Sequence, residues 1–282
     1  MLRPVESLRG EKAFLRMIYN ARESMMRRRP KFRALISPLA VGLLWELLVA
    51  LGVLNANYLP PPSQLAPHLV ALLAGGELWR HLSMTLYRLF VSFAFALIPS
   101  VLLGLSLGIS RHLRLALEPI LTSLYAIPKI ALLPLVMLVL GVNERTLIFT
   151  STLTSFVQMT ISTTGGVLAV DRSILEAGKN YGATGWRLFR YVLLPSALPD
   201  IFTGMRIGLA LTLVLVIAVE FTAAQEGLGA FLWTAGQTFS AKNMFSTFMV
   251  VGALGWILSY GLERIGNWLM PWRQRSSAAM FL

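Results

Sequence analysis

The chain has 282 residues, of which 56% are hydrophobic and only 13% are charged. Charged residues make up about 25% of an ordinary soluble domain. One water-soluble core cannot hide this much apolar surface, so the composition predicts a polytopic membrane protein. The absence of cysteine excludes disulfides, thiol catalysis and cysteine-ligated metals.

The formal net charge of +12 would suit nucleic-acid binding, but its distribution favours orientation in a membrane. Ten of the 25 basic residues lie before Ala34, and most of the others lie beside apolar segments. Lys and Arg gather in the cytoplasmic loops of membrane proteins. We therefore predict a lipid bilayer as a partner and no nucleic acid.

The basic N-terminal segment, residues 1–33, has apolar residues at helical spacing, namely Phe14, Met17, Ile18, Ala21 and Met25. This pattern predicts an amphipathic helix on the cytoplasmic membrane surface. A disordered basic tail is the alternative.

Six apolar stretches predict six spanning helices in a permease domain over 34–272, followed by a cytoplasmic tail over 273–282. The predicted spans are 34–54, 85–109, 115–141, 146–170, 201–224 and 244–262. In the second span we expect Arg88 to snorkel to the interface. The third contains three prolines and Lys129, so we expect it to be broken. Residues 225–243 are predicted to form an outside loop or a re-entrant hairpin.

Charge orients these spans. Six spans place both termini on one side of the membrane, and that side collects most of the basic residues, including Arg111, Arg114, Arg172 and Lys179. We therefore expect both termini, and the connection over 173–199, to be cytoplasmic.

That connection is a polar interruption between two apolar segments. Ser173 and Glu176 fit a capping box, which predicts a short helix beginning at Ser173. Gly182 permits the left-handed conformation that ends a helix.

A second helix is predicted to follow in the same connection. Thr184 can cap it, and Pro195 and Pro199 are expected to end it and to begin the next span. The result is a helix-turn-helix at the cytoplasmic end of the bundle. Spans leave from both ends of this element, which argues against a DNA-binding helix-turn-helix.

The residues of this connection resemble the EAA loop of the membrane subunits of binding-protein-dependent ABC importers. Glycine stands at the third position, where that family usually has alanine. The matching residues are Glu176, Ala177, Gly178, Gly182, Ala183, Phe189, Leu194, Pro195, Pro199 and Gly204. Two further stretches, 127–135 and Glu220 with Gly227-Leu228-Gly229, are similar to the branch that carries taurine, alkanesulfonates, nitrate and related small anions.

The resemblance implies an all-α, type I (MetI-like) ABC importer permease of the inner membrane. It also implies a second copy of the permease, two ATP-binding subunits that hold ATP and Mg, and an external substrate-binding protein. The chain has no G-x-x-x-x-G-K-[ST] phosphate loop of its own. We therefore predict a permease without catalytic residues, cofactor or metal, and with ATPase coupling through Glu176, Ala177, Gly178, Gly182, Ala183, Phe189 and Pro195.

The fourth predicted span offers candidates for the translocation pathway, because ten of its 25 residues are Ser or Thr. Ser151, Ser155, Gln158 and Ser162 share one helix face, and Thr154 lies beside it. Pathway lining and ordinary interhelical hydrogen bonding both explain such a face.

Lys129 and Glu220 are the intramembrane charges that most favour a functional role. Lys129 could attract an anion, pair with Glu220, or lie near an interface.

The resemblance implies a small anion as substrate, such as a sulfonate, nitrate or bicarbonate. A neutral or heterocyclic nutrient is the alternative within the class. An ion-coupled secondary transporter is the alternative from another class, but such a protein has inverted repeats and no need of an EAA-like element.

Overall fold

A computed structural model of the chain describes residues 32–272, and its regular elements in that range are all helical. The predicted amphipathic segment, apart from its last two residues, and the predicted tail lie outside the described residues. In chain order the helices are α1 Phe32–Ala50, α2 Pro62–Ala74, α3 Glu77–Ile109, α4 Arg111–Ala126, α5 Leu133–Leu140, α6 Glu144–Leu168, α7 Arg172–Asn180, α8 Gly185–Leu188, α9 Leu194–Ala223, α10 Leu228–Gln237 and α11 Ala241–Leu269.

The chain divides into two compact units, with the boundary between Ser63 and Gln64. In the first unit, the carboxylate of Glu46 on α1 accepts a hydrogen bond from the Ser63 hydroxyl at 2.6 Å and another from the Ser63 amide at 3.1 Å. The second unit contains the helices from α3 onward.

Helices α3 and α6 run parallel. Ser92 donates to the carbonyl of Ile148, and Thr164 donates to the carbonyl of Gly104 at 3.2 Å. Residue numbers therefore rise together along the two helices, and α3 and α6 begin at the same end of the unit. The residues between them must carry the chain back from the far end.

That return is made by a broken helix, as the prolines predicted for the third span. Helix α4 ends before Pro128, and the chain bends there by 91° into the segment Lys129–Leu140, which begins with a short 3-10 turn over Lys129–Leu132 and continues as α5. Proline cannot donate a backbone hydrogen bond, so a helix tends to end just before it.

Helices α6 and α9 run antiparallel and approach very closely. A β-carbon added at Gly204 of α9 would lie 2.4 Å from Cβ of Ser162, and one at Gly208 would lie 2.7 Å from Cγ of Met159. Helix α3 approaches α6 in the same way, because a β-carbon at Gly104 would lie 2.5 Å from Cβ of Thr163. Small residues that let backbones approach are typical of membrane helix packing.

Helix α9 begins differently from the prediction. Pro195 and Pro199 do not separate a second connecting helix from the next span. Residues Gly185–Ala223 form one continuous helix, with a π turn over Phe189–Leu193, Pro195 in the first turn of α9, and Pro199 inside it. The Leu194 amide bonds the carbonyl of Phe189, five residues earlier. The helix can therefore continue through Pro195, whose missing N–H is not needed in a first turn.

Three described helices are long and apolar enough to cross a membrane, namely Glu77–Ile109, Gly185–Ala223 and Ala241–Leu269. Two bent pairs, α4 with α5 and α6 with α7, raise that number to five if each counts as one span. Within α1 the shorter apolar stretch is Leu39–Ala50. The protein is thus all-helical, and six spans stay a prediction.

The close approach of α6 and α9 can be tested by Gly204→Ala. The added methyl group collides with Ser162, so we expect the free energy of unfolding to fall by about 1–3 kcal/mol. Gly252→Ala is a matched control in α11, because its added methyl group would meet no described atom within 4 Å and alanine is the better helix former. Thermal denaturation in detergent measures both, and equal stability of the two variants would contradict the packing.

Candidate functional site

A buried ion cluster lies where α3, α6 and α9 meet. The side chain of Arg88 on α3 is only 2% exposed. Its Nε and Nη2 donate to the two carboxylate oxygens of Glu144 at 2.8 and 2.7 Å, and its Nη1 donates to Glu220 at 2.8 Å. Nη1 also donates to the backbone carbonyl of Glu226 at 2.5 Å. Arg88 therefore joins α3, the first residue of α6, the end of α9 and the link to α10.

The carboxylate of Glu220 is completely buried and fully engaged. Besides Arg88, it accepts from the Thr85 hydroxyl at 2.8 Å and from the backbone amide of Gly229 at 3.0 Å. Thr85 in turn accepts from the amide of Leu228 at 2.8 Å. Three donors satisfy this buried charge.

Glycines at two positions make that arrangement possible. Gly227 has a φ of +119°, and a β-carbon there would lie 2.3 Å from the carboxyl carbon of Glu220. A β-carbon at Gly229 would lie 2.2 Å from the carbonyl oxygen of Ile217. Gly227 needs both the backbone freedom and the space that only glycine offers, and Gly229 needs the space. The sequence pattern of Glu220 with Gly227-Leu228-Gly229 is thus one folded unit that begins α10.

The cluster borders a cavity of about 270 Å³. Glu144 faces this cavity and its side chain is 46% exposed, in contrast to the other two members of the cluster. The lining residues are Met84, Arg88, Met137, Val142, Asn143, Glu144, Leu147, Ala223, Ala224, Gln225 and Glu226.

The cluster corrects two sequence expectations. Arg88 does not snorkel to an interface, because it is almost completely enclosed. Lys129 does not pair with Glu220, since its ammonium donates to the carbonyl of Tyr125 at 2.8 Å and lies over the Tyr125 ring. Lys129 is half-buried. Whether Lys129 and Glu220 contact substrate stays a prediction.

The connection between α6 and α9 forms a second site, at the opposite end of these helices. Asp171, rather than Ser173, caps α7, which begins at Arg172. The Asp171 carboxylate accepts from the Ser173 amide at 2.9 Å, and this bond, together with the Ser173 side chain, lowers the pKa of Asp171. The capping box expected between Ser173 and Glu176 is therefore wrong, because the Asp171 carboxylate takes the Ser173 amide that Glu176 was expected to bond.

The end of α7 is as predicted. Gly182 has a φ of +82°, the Ala183 amide donates to the carbonyl of Gly178 at 3.0 Å, and the Gly182 amide donates to that of Lys179 at 2.9 Å. These two bonds are the Schellman motif. Thr184 occupies the cap position of α8, although its side chain makes no capping bond.

Close packing holds α7 against the start of the long helix. A β-carbon at Gly178 would lie 2.9 Å from Cγ2 of Val192 in the π turn. This contact accounts for glycine at a position where the resemblance leads one to expect alanine. Phe189 stacks on Trp186 with ring centroids 5.0 Å apart. Gly178, Ala183, Phe189 and Pro195 are half-buried, whereas Glu176, Ala177 and Gly182 are exposed.

The polar face of α6 packs largely against α9. Ser151 and Ser155 are buried, and the Ser155 hydroxyl shares a hydrogen bond with Thr212. Gln158 is half-buried and donates to the Ser162 hydroxyl at 3.2 Å. Ser155 therefore bonds between helices, whereas the bond between Gln158 and Ser162 lies within α6.

Two hydroxyls on this face differ from the others. Those of Ser151 and Thr154 are enclosed and have no hydrogen-bond partner within the described chain. Pathway roles for Ser151, Thr154, Ser155, Gln158 and Ser162 stay predictions.

Residues 100–275 match the family model described as binding-protein-dependent transport system inner membrane component. The chain belongs to this family. It is accordingly a multi-pass inner membrane component of a transport system, and not itself an enzyme.

Relatives support the same assignment, and a solved structure shares the fold. The chain is 31% identical to the taurine transport system permease protein TauC of Escherichia coli (strain K12), over 84% of this chain and 88% of that protein. It is 29% identical to the putative aliphatic sulfonates transport permease protein SsuC of the same organism, over 83% of this chain and 89% of that protein. The fold is similar to that of a chain in the crystal structure of a bacterial alginate ABC transporter in complex with an alginate-bound periplasmic protein. The TM-score is 0.58 at 14% identity, and the match covers 88% of this chain and 97% of that chain.

Sequence reasoning about this inner membrane component missed the centre of the ion cluster. It weighed Arg88 as an interfacial residue and did not consider Glu144 or Thr85 as members of a cluster with it. The signal in the sequence was Arg88 near the start of one apolar span together with Glu144 at the start of another apolar span. A charge inside a membrane helix calls for a partner of opposite charge.

The different burial of two glutamates predicts different costs of neutralisation. Glu220→Gln removes a completely buried partner of Arg88, so we expect a loss of about 3–5 kcal/mol in the free energy of unfolding. Glu226→Gln is the control, because its ion pair with Arg80 is exposed and we expect it to cost about 1 kcal/mol or less. Thermal denaturation of the purified variants measures both. A Glu220→Gln variant as stable as the control would contradict the structural role of the cluster.

Proposed function

We propose that the chain is the permease subunit of an ATP-driven importer, working as two copies with two ATP-binding subunits. The ATP-binding subunits hydrolyse ATP with Mg, and an extracytoplasmic binding protein delivers the substrate. Both termini and the connection formed by α7 and α8 face the cytoplasm in this proposal.

The observation that carries the proposal is the exposed, well-folded connection at one end of the second unit. Asp171 and the Schellman turn fix α7, and close packing on Val192 fixes its position against the long helix. Glu176 and Ala177 are left exposed. A permease without a phosphate loop needs such a surface to receive work from a separate ATPase.

The long helix supplies a route from that surface into the bundle. Gly185–Ala223 is continuous, beginning beside the exposed turn and reaching Glu220 in the ion cluster. Helix α11 runs antiparallel to α9, because Gly255 packs on Leu213 and Gly266 on Phe202. The last described residues thus lie at the end of the unit that carries α7, which agrees with a cytoplasmic C-terminus.

The substrate that we propose is a small organic anion of the sulfonate type. This rests on the likeness to TauC and SsuC, whose names specify taurine and aliphatic sulfonates. Nitrate, bicarbonate and a neutral or heterocyclic nutrient are the competing outcomes of a substrate test.

The coupling role predicts that Gly182 needs both its conformation and its small size. Gly182→Val should abolish most ATPase association and uptake, because a β-branched residue resists the left-handed region. Gly182→Asn tolerates that region but adds bulk to the exposed turn. We expect both variants to lose coupling while the purified permease stays folded.

Co-purification with the ATPase and uptake in proteoliposomes measure this effect. Gly261→Ala, in open space on α11, is the control that should retain both activities. Retention of coupling by Gly182→Asn would reduce the role of Gly182 to backbone conformation, and retention by Gly182→Val would contradict the coupling assignment.

Transport itself is predicted to require the complete system. Uptake of a radiolabelled sulfonate into proteoliposomes should need ATP, the ATP-binding subunits and the binding protein together, and it should persist when ion gradients are collapsed. Unlabelled sulfonates should compete better than nitrate, bicarbonate or a pyrimidine. Uptake driven by an ion gradient alone would contradict the proposal.

A further inference from the structure

Arg88 has one permanent and one exchangeable carboxylate partner. Glu220 is completely buried and is also held by Thr85 and the Gly229 amide. Glu144 is 46% exposed, and the side-chain bonds that it makes within the described chain are the two to Arg88. A solute in the adjoining cavity could therefore reach the Glu144 side of Arg88 without disturbing Glu220.

The charges in the cluster restrict which solute can do this. Arg88 carries one positive charge, and Glu144 and Glu220 carry two negative charges. A simple anion that displaced Glu144 would leave the Glu144 carboxylate without a partner, close to two other negative groups that share the single charge of Arg88, which is costly. A zwitterion leaves the net charge unchanged and can give every charge a partner.

The geometry points to a binding site for a zwitterionic aminoalkyl sulfonate, inserted between Arg88 and Glu144. Two sulfonate oxygens accept from Nε and Nη2 of Arg88, in place of the Glu144 carboxylate. The ammonium group of the solute donates to Glu144, which turns toward the cavity. The planar guanidinium suits such paired oxygens. This inference rests on the proposed function and narrows its substrate from sulfonates in general to aminosulfonates.

The site should bind weakly. Glu144 is tethered beside Arg88 and competes at a high effective concentration. Under the proposed orientation, the cavity lies at the end of the bundle away from the ATPase, where the binding protein delivers its load. A weak site at that place can accept the solute and pass it on.

The test compares two sulfonates of similar size that differ at the amine. Taurine carries an ammonium group, and isethionate carries a hydroxyl group in its place. We would measure each by equilibrium dialysis with the full-length permease and its ATP-binding subunits in lipid nanodiscs, without the binding protein. Taurine should bind about tenfold more tightly or better.

Glu144→Gln should reverse the preference in a way that a general structural defect cannot. Taurine should bind more weakly because its ammonium group loses a charged partner. Isethionate should bind more tightly because the carboxylate that competes for Arg88 is gone. Glu77→Gln is the matched control, since Glu77 is exposed at the start of α3 and does not line the cavity. It should leave both affinities unchanged.

Several results would overturn the inference. They are equal binding of the two sulfonates to the native protein, no binding of either, or a parallel change of both in Glu144→Gln. The native comparison decides the matter even if the variant does not fold. ATP-driven sulfonate uptake in proteoliposomes that contain the same permease, its ATP-binding subunits and the binding protein would show that the proposed function stands when the cavity assignment fails.

Discussion

The arrangement of the second unit depends on the burial of the Arg88 charge. Arginine stays protonated in proteins, so a guanidinium with 2% exposure must be paired wherever it lies. Its partners come from the start of α6, the end of α9 and the link to α10. Burying this one charge therefore brings three helices together at one end and sets where each begins or ends.

Close helix packing fixes the lengthwise positions of α3, α6 and α9 along the rest of the bundle. Gly104, Gly204 and Gly208 leave no room for a β-carbon against α6, so α3, α6 and α9 cannot slide past one another without collision. The far end carries the Schellman turn and the packed π turn of the connection between α6 and α9. Because Gly185–Ala223 is a single helix, the proposed ATPase surface and the ion cluster belong to one continuous element.

The two glutamates that bind Arg88 differ in how firmly each is held. Glu220 is held by three different donors and lies beside glycines that admit nothing larger. Glu144 lies at the edge of a cavity and depends on Arg88 alone for its side-chain bonds in the described chain. A cluster with one fixed and one releasable carboxylate can keep the helices together while its open side exchanges partners.

The sequence by itself determined the features that depend on neighbouring residues. Apolar runs predicted the membrane class, and the three prolines and Lys129 of the third span predicted the broken helix. Gly182 predicted the left-handed end of α7, and the EAA-like pattern indicated the family. Local rules were less decisive at the start of α7, where Asp171 and Ser173 both suit a cap. They failed at Pro195, where a π turn lets the helix continue. Only the tertiary structure decided the role of Arg88, because its partners Glu144 and Glu220 lie 56 and 132 residues away along the chain, and no local pattern can specify which distant carboxylates a buried charge will meet.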